Sequence, residues 1–217
     1  MAKKAGVQHR QTEESRRRIL EATLELAAER GYEGTTIALV SKRSGLPSGS
    51  VYYHFENKDN LFAELIEQSF DDWTRHAGLQ EPTPRTRETL TDFMHNRLAA
   101  EDFHHGFWRL GLLLSLERRM ADSAARQRFL DIRRRMLDKL TGYWMDALPS
   151  DVIAHDDGLP RRLAQFTMVT SDGAFIAVAA GDDWDFRELS HMLTDTLQQH
   201  VARATRAART KSEPTRA

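Results

Sequence analysis

Gly45 separates two runs that are each too short to be anything but a two-turn helix, and this break constrains the N-terminal quarter of the 217-residue chain more than any other feature. Thr35 and Thr36 are N-cap types, whose side-chain oxygen can accept a free amide of a first helical turn. Ile37, Val40, Ser41 and Ser44 then fall at i, i+3, i+4 and i+7, one face of a helix about two turns long. Gly45 stands where a left-handed residue ends such a helix. Leu46 plugs the turn, and Pro47 suits the start of the next helix because its missing amide is not required there. This second helix can bury only Val51 and Phe55, which leaves Ser48, Gly49, Ser50, Tyr52, Tyr53 and His54 facing outward or sideways. A glycine in its first turn costs about 1 kcal/mol relative to alanine, and the usual return is close approach of the backbone to something else. A helix presenting hydroxyls and aromatic rings in this way is a probe for a DNA groove.

Lys58 strengthens that reading. Asn57 is a good N-cap for a following helix with apolar positions at Leu61, Leu65, Ile66 and Phe70. Lys58 therefore falls at the first position of that helix, where the dipole disfavours a cation unless an anion shares the place. Helix N-termini are ready phosphate sites, so a phosphate from outside is the expected occupant; the alternative is an exposed lysine tolerated at a small cost.

Gly31-Tyr32, the threonines at 35 and 36, Ser44-Gly45-Leu46 and Val51-Tyr52-Tyr53-His54-Phe55 followed by Lys58 resemble the N-terminal domain of TetR-family transcriptional regulators, from about Arg18 to Phe70. The resemblance implies a three-helix DNA-binding domain, a larger helical ligand-binding domain and a homodimer on a palindromic operator. It also implies phosphate contacts for Tyr52, His54 and Lys58, and base-edge contacts for Ser48, Gly49, Ser50 and Tyr53. Thr36, Lys42 and Arg43 complete the expected DNA-binding set. Two positions depart from the family pattern: Ala38, where a basic or polar residue is frequent, and Ser48, where lysine is frequent. Lys42 and Arg43 are the nearby cations that can compensate.

Composition narrows the alternatives. The chain has no cysteine, which excludes disulfides, thiol redox sensing and cysteine zinc sites and suits a cytoplasmic protein. The basic N-terminus lacks an apolar run behind it, so no signal peptide is expected. The best apolar run, Phe107 to Leu116, is about half the length a membrane span requires. Net charge is −1, but it is unevenly spread. Lys3, Lys4, Arg10 and Arg16 to Arg18 load the head, and Arg203, Arg206, Arg209, Lys211 and Arg216 load the tail, which leaves the middle acidic.

The remaining pattern is helical throughout, giving an all-α chain. The expected divisions are a disordered basic arm over 1–11, a DNA-binding domain over 12–60, a ligand-binding and dimerisation domain over 61–207, and a disordered tail over 208–217. Within them, helix one starts at Thr12 or Ser15, buries Ile19, Thr23, Leu26 and Ala27, and stops at Gly31. A connecting helix over 57–78 ends at the breaker Gln80-Glu81-Pro82-Thr83-Pro84. Further helices are expected over Arg85–Ala100, Phe103–Glu117, Ala121–Leu148, Pro160–Ala180 and Phe186–Ala207, with Pro149 to Gly158 as a separator.

The last two helices are the expected dimer interface, through Phe166, Val169, Gly173 and Ala177 on one and Leu189, Leu193 and Leu197 on the other; the alternative is that both pack inside one subunit. Small residues there permit close helix approach. Phe93, Phe107, Trp108, Phe129, Met136, Tyr143 and Trp144 are candidates either to line an apolar ligand cavity or to fill a core. Arg109 is a charge within an apolar run and needs a partner, either an internal carboxylate, for which Asp172 is a candidate, or the acid group of a ligand.

His104 and His105 are adjacent and point about 100° apart on a helix, so they do not form a chelating pair. No metal site or cofactor is expected. The chain lacks a Gly-rich phosphate loop, HExxH and GxSxG, which argues against an enzyme. The expected protein is a ligand-responsive dimeric repressor with a largely apolar small-molecule effector and no membrane partner. A helical small-molecule carrier or enzyme without sequence-specific DNA binding is the alternative. An architectural DNA binder is a third reading, and it would need a wider basic surface than residues 34–61 supply.

Overall fold

A computed structural model describes residues 2–76, 106–116 and 123–212. The described elements are α1 (Ala2–Gly34), α2 (Ile37–Ser44), α3 (Ser48–Phe55), α4 (Lys58–His76), α5 (Gly106–Leu116), α6 (Ala124–Ala147), α7 (Ser150–His155), α8 (Leu159–Ala180) and α9 (Phe186–Ser212). Among the described residues there is no strand. The expected breaker at Gln80 to Pro84, the helix over Arg85–Ala100 and the candidate Phe93 lie outside the described residues.

Helix α1 begins at Ala2, so the expectation of a disordered arm over 1–11 does not hold for its described part. Residues 2–11 contain no proline and only Gly6 as a weak helix former, so nothing stops the helix at the Thr12 or Ser15 cap site. The expected stop at Gly31 is present as a break, with φ 69° and ψ −174° inside the run. Ile19, Thr23, Leu26 and Ala27 are all buried, as the periodicity predicts.

The break leaves carbonyls of the last turn of α1 without their usual amide partners, and side chains take them up. Thr35 Oγ1 donates to the Gly31 carbonyl at 2.8 Å, Lys58 Nζ to that of Tyr32 at 2.9 Å and Arg109 Nη2 to that of Ala28 at 2.6 Å. Two of these donors are cations at a helix C-terminus, where the dipole favours them.

The described chain divides into two compact units, and the division does not follow the expected boundary at 60/61. The N-terminal helices up to Trp73 group with α5 and with α6 as far as Ile132, while the end of α4 from Thr74 and the residues from Arg133 onward belong to the second unit. Local chemistry explains the first grouping. Trp73 and Trp108 meet edge-to-face at 5.6 Å between ring centroids, and both are buried. Gly111 of α5 leaves room for the Phe129 ring of α6, which a Cβ there would meet at 2.1 Å.

In the second unit, α7 forms inside the stretch expected to be a separator. Pro149 has no amide to lose at a helix start, and Val152 is fully buried to anchor the turn. Helix α9 runs on to Ser212, beyond the expected end at Ala207, because Arg206-Ala207-Ala208-Arg209 contains no breaker and Ala208 is buried. The expected disordered tail is therefore helical as far as it is described. Helix α8 is 22 residues long with a mean hydropathy of 1.3 in its most apolar window, so by length and composition it could span a membrane. This corrects the expectation that no run is long enough. Its inner face is Leu163, Ala164, Thr167, Met168, Ser171 and Phe175, all buried within the unit.

Candidate nucleic-acid interface

The helix-turn-helix forms as its residue types dictate. The Thr36 side chain accepts from the Leu39 amide at 3.3 Å, giving α2 its N-cap. Gly45 closes α2 in the left-handed region, φ 69° and ψ 20°, and the Ser41 hydroxyl donates to the Leu46 carbonyl at 2.6 Å to fix the turn. Arg18 braces it from α1, its Nη2 donating to the Ser44 carbonyl at 2.5 Å. Pro47 precedes α3 as its cap residue instead of its first helical residue.

Only Val51 and Phe55 of α3 are buried, and full burial of two such side chains contributes about 1.5–3 kcal/mol each. Every other α3 side chain is left to the surface or its edge. Tyr53 is 80 % exposed and Tyr52 54 %, and Ser48 and Gly49 are exposed beside them. A Cβ on Gly49 would meet nothing within 4 Å. No neighbour among the described residues therefore calls for a glycine there. Ser50 and His54 are half-buried at the sides. The His54 ring stands edge-on to Tyr53 at 5.2 Å. Burial, and then the nearby charge of Arg16, holds the imidazole below its ordinary pKa.

The expected cations divide into two kinds. Lys42 is exposed on α2. Arg43 is committed within the chain: its guanidinium reaches Glu25 at 2.9 Å and Glu29 at 3.0 Å, which raises its pKa. It does not replace the missing cation at Ala38 in the way the sequence predicts. Its position at the end of α2 puts it over the acidic flank of α1, a tertiary contact that helix periodicity does not reveal.

Lys58 also departs from expectation. Its Nζ donates to the Tyr32 carbonyl and lies 4.0 Å from the centre of the Tyr32 ring, so an internal acceptor and a π face already hold it. Burial lowers its pKa against the opposing pull of Glu33 and Asp59. An ammonium carries three donors, and two remain for a phosphate. Asn57 caps α4 as expected, its Oδ1 accepting from the Asn60 amide at 2.8 Å.

Sequence reasoning treated Arg16 and Arg18 as bulk charge, yet both position the reading head. Arg16 pairs with Glu64 and lies 5.9 Å from the centre of the Phe55 ring, while Arg18 holds the turn. Their spacing from Ile19 and Leu20 on α1 was the available signal, since it sets them on either side of the buried face.

The ligand candidates fall in different places. Trp108 and Phe129 are buried in the first unit, and Met136 and Trp144 are buried in the second, with Tyr143 half-buried. Phe107 belongs to α5, but its side chain lies outside the described residues. Arg109 does not meet Asp172, the expected internal carboxylate. Helical phase places it outside, between buried Trp108 and Leu110, and it binds the Ala28 carbonyl. Asp172 instead accepts a two-pronged bond from Arg133, at 2.9 and 2.6 Å. No group of three or more His, Asp or Glu side chains able to hold a metal occurs among the described residues.

Of the expected dimer residues, Phe166, Val169 and Gly173 are exposed and Leu189 is half-buried. Ala177, Leu193 and Leu197 are buried within the subunit and are not available as surface, because the Leu193–Leu197 stripe of α9 faces the core.

Comparison with known proteins agrees with this geometry. Residues 19–65 match the model of the bacterial regulatory proteins, tetR family. The fatty acid metabolism regulator protein of Bacillus subtilis is 25% identical over 150 residues, 68% of this chain and 74% of the relative. The transcriptional repressor AcnR of Corynebacterium diphtheriae is 27% identical over 179 residues, 78% of this chain and 84% of the relative. The fold resembles the crystal structure of FadR from Bacillus subtilis in complex with stearoyl-CoA, with a TM-score of 0.61 and 22% identity over 83% of this chain and 96% of that one. The N-terminal domain is thus similar to that of the tetR family of bacterial regulatory proteins. Helices α2 and α3, the helix-turn-helix, lie within the matched residues.

Proposed function

We propose that the protein acts as a homodimeric cytoplasmic repressor on a palindromic operator and leaves it when a largely apolar small molecule binds the C-terminal domain. The observation that carries the DNA part is α3 itself: a two-turn helix that buries two side chains and leaves Ser48, Gly49, Tyr52 and Tyr53 outside. Lys42 and the remaining donors of Lys58 flank it and suit phosphates. The pairing of two copies is supported by α8, where Phe166, Val169, Gly173, Ile176 and Ala180 are exposed at alternating spacings of three and four. That is the a/d spacing of a helix seam. Two such subunits would set their α3 helices about 34–36 Å apart, one turn of the duplex.

An acyl thioester is the first effector to test, because the relatives include a fatty acid metabolism regulator and a FadR structure bound to stearoyl-CoA. Release requires that the effector bind the conformation unsuited to DNA more tightly than the other.

Footprinting on the DNA flanking the gene, with and without stearoyl-CoA, tests the whole reading. A protected palindrome that opens on addition of the thioester is expected. Protection unaffected by the thioester would reject that effector alone. Ligand binding with no protection even at low salt would return the protein to the class of helical small-molecule binders.

A further inference from the structure

The first turn of α4 reaches in two directions. Lys58 turns to the end of α1, whereas Asp59 turns to α6. Its Oδ2 accepts from the Ala124 amide at 2.7 Å and its Oδ1 from the Ala125 amide at 3.3 Å. Helix α6 satisfies the next two amides itself: the Ser123 hydroxyl accepts from Arg126 at 3.1 Å and the Ser123 carbonyl from Gln127 at 3.0 Å. Of the amides that this helix start leaves open, those of its first two residues are thus held by a carboxylate carried by another helix. The positive end of the α6 dipole favours that charge. Burial, the Asp59 and Glu33 charges and a hydrogen bond to Asp59 also push the Tyr32 phenol up to about 12, so the same carboxylate borders the end of α1.

The link back to the reading helix is short and stiff. Between α3 and α4 the chain turns at Glu56 with φ 61° and ψ −49°, and the Asn57 amide donates to the Phe55 carbonyl at 2.5 Å. This is a γ-turn with positive φ, a rare and strained conformation for a residue with a side chain. Two residues in such a turn offer little slack, so a displacement of Asp59 is passed to α3.

We propose that Asp59 is a positioning residue for DNA recognition: by holding the first amides of α6, its carboxylate makes the aim of α3 depend on where α6 begins. The proposal rests on the reading of α3 as the DNA-contacting helix. It also predicts a sign that simple charge does not. Removing an acid beside Lys58 should strengthen attraction to any duplex, whereas loss of a positioning contact weakens the preference for one.

The test compares a duplex enriched from a random pool by the wild-type protein with a scrambled duplex, at a temperature where circular dichroism shows every variant folded. Asp59→Asn removes the charge and one acceptor. Ala124→Pro removes the donor from the opposite side, at a first helical position where proline is well tolerated and which is not on α3. Each variant is expected to lose about tenfold in preference for the enriched duplex, the size of one charge-assisted hydrogen bond. Binding to the scrambled duplex should hold or rise. Asp59→Glu should restore part of the preference, and amide exchange at Ala125 should quicken in Asp59→Asn. An unchanged preference in both variants, with exchange quickened, would overturn the proposal. Unchanged exchange in Asp59→Asn would overturn it too, by showing that the grip does not exist in solution. Failure of the wild-type protein to enrich any duplex would instead remove the DNA reading on which the proposal stands.

Discussion

Gly49 separates what the fold needs from what DNA needs. A Cβ there meets nothing among the described residues, and alanine is better than glycine in a helix by about 1 kcal/mol. Gly49→Ala is therefore expected to raise the unfolding midpoint in urea while lowering affinity for the operator. Lys58 behaves in the opposite way because it is held on both sides. Lys58→Ala loses the bond to the Tyr32 carbonyl and the contact with its ring, so stability should fall by about 1–3 kcal/mol. If the lysine also meets a phosphate, the slope of log affinity against log salt flattens by about one. Urea denaturation and salt titration read the two roles independently. His54 gives a pH dependence. Its lowered pKa means the unfolded chain binds a proton more readily than the folded one between that value and the ordinary 6.5. Its contribution to stability is thus complete above 6.5 and is lost as pH falls through the folded value. Phosphate nearby favours the imidazolium, so operator affinity should rise over the same interval. His54→Gln removes both trends, and binding titrations at several pH values would show whether it does.

At the scale of elements, α5 and α6 are joined through a missing side chain. Gly111→Ala would set a methyl 2.1 Å from the Phe129 ring, and overpacking of this kind costs about 1–3 kcal/mol. A clear fall in melting temperature is expected, and no change would mean that the two helices are not seated as described. Elements also show how far residue patterns reach. The N-cap at Thr36, the left-handed Gly45, the buried pair Val51 and Phe55 and the cap at Asn57 were all legible, because each depends on neighbours within four residues. The partners of Arg43, Arg109 and Asp172 were not, because Glu25, Ala28 and Arg133 lie 18, 81 and 39 residues away. Helix α7 was missed for a local reason: Pro149 ends one helix and suits the start of another equally well. Helix α1 overran its expected start because a good cap residue permits a helix to begin but does not oblige it to.

For the whole molecule, the exposed seam on α8 is the feature with most at stake. Val169 is 68 % exposed and Ile176 52 %, and a charge at either would enter the middle of the proposed two-fold contact. Val169→Glu is expected to give monomers in light scattering with little change in thermal stability, and to weaken operator binding by far more than any single phosphate contact would. A dimer that survives the substitution would move the interface elsewhere. The grouping of Trp73, Trp108, Arg109 and the start of α6 with the N-terminal helices has a practical side as well. Regulators of this kind invite domain exchange, with a reading head from one protein fused to the sensor of another. A cut after Trp73 would strand an indole and the Ala28 carbonyl, and would leave Asp59 facing whatever amides the recipient offers. A working chimaera must therefore keep the side chains at 108 and 109 and open backbone amides at 124 and 125, although all four positions lie outside the segment that meets DNA.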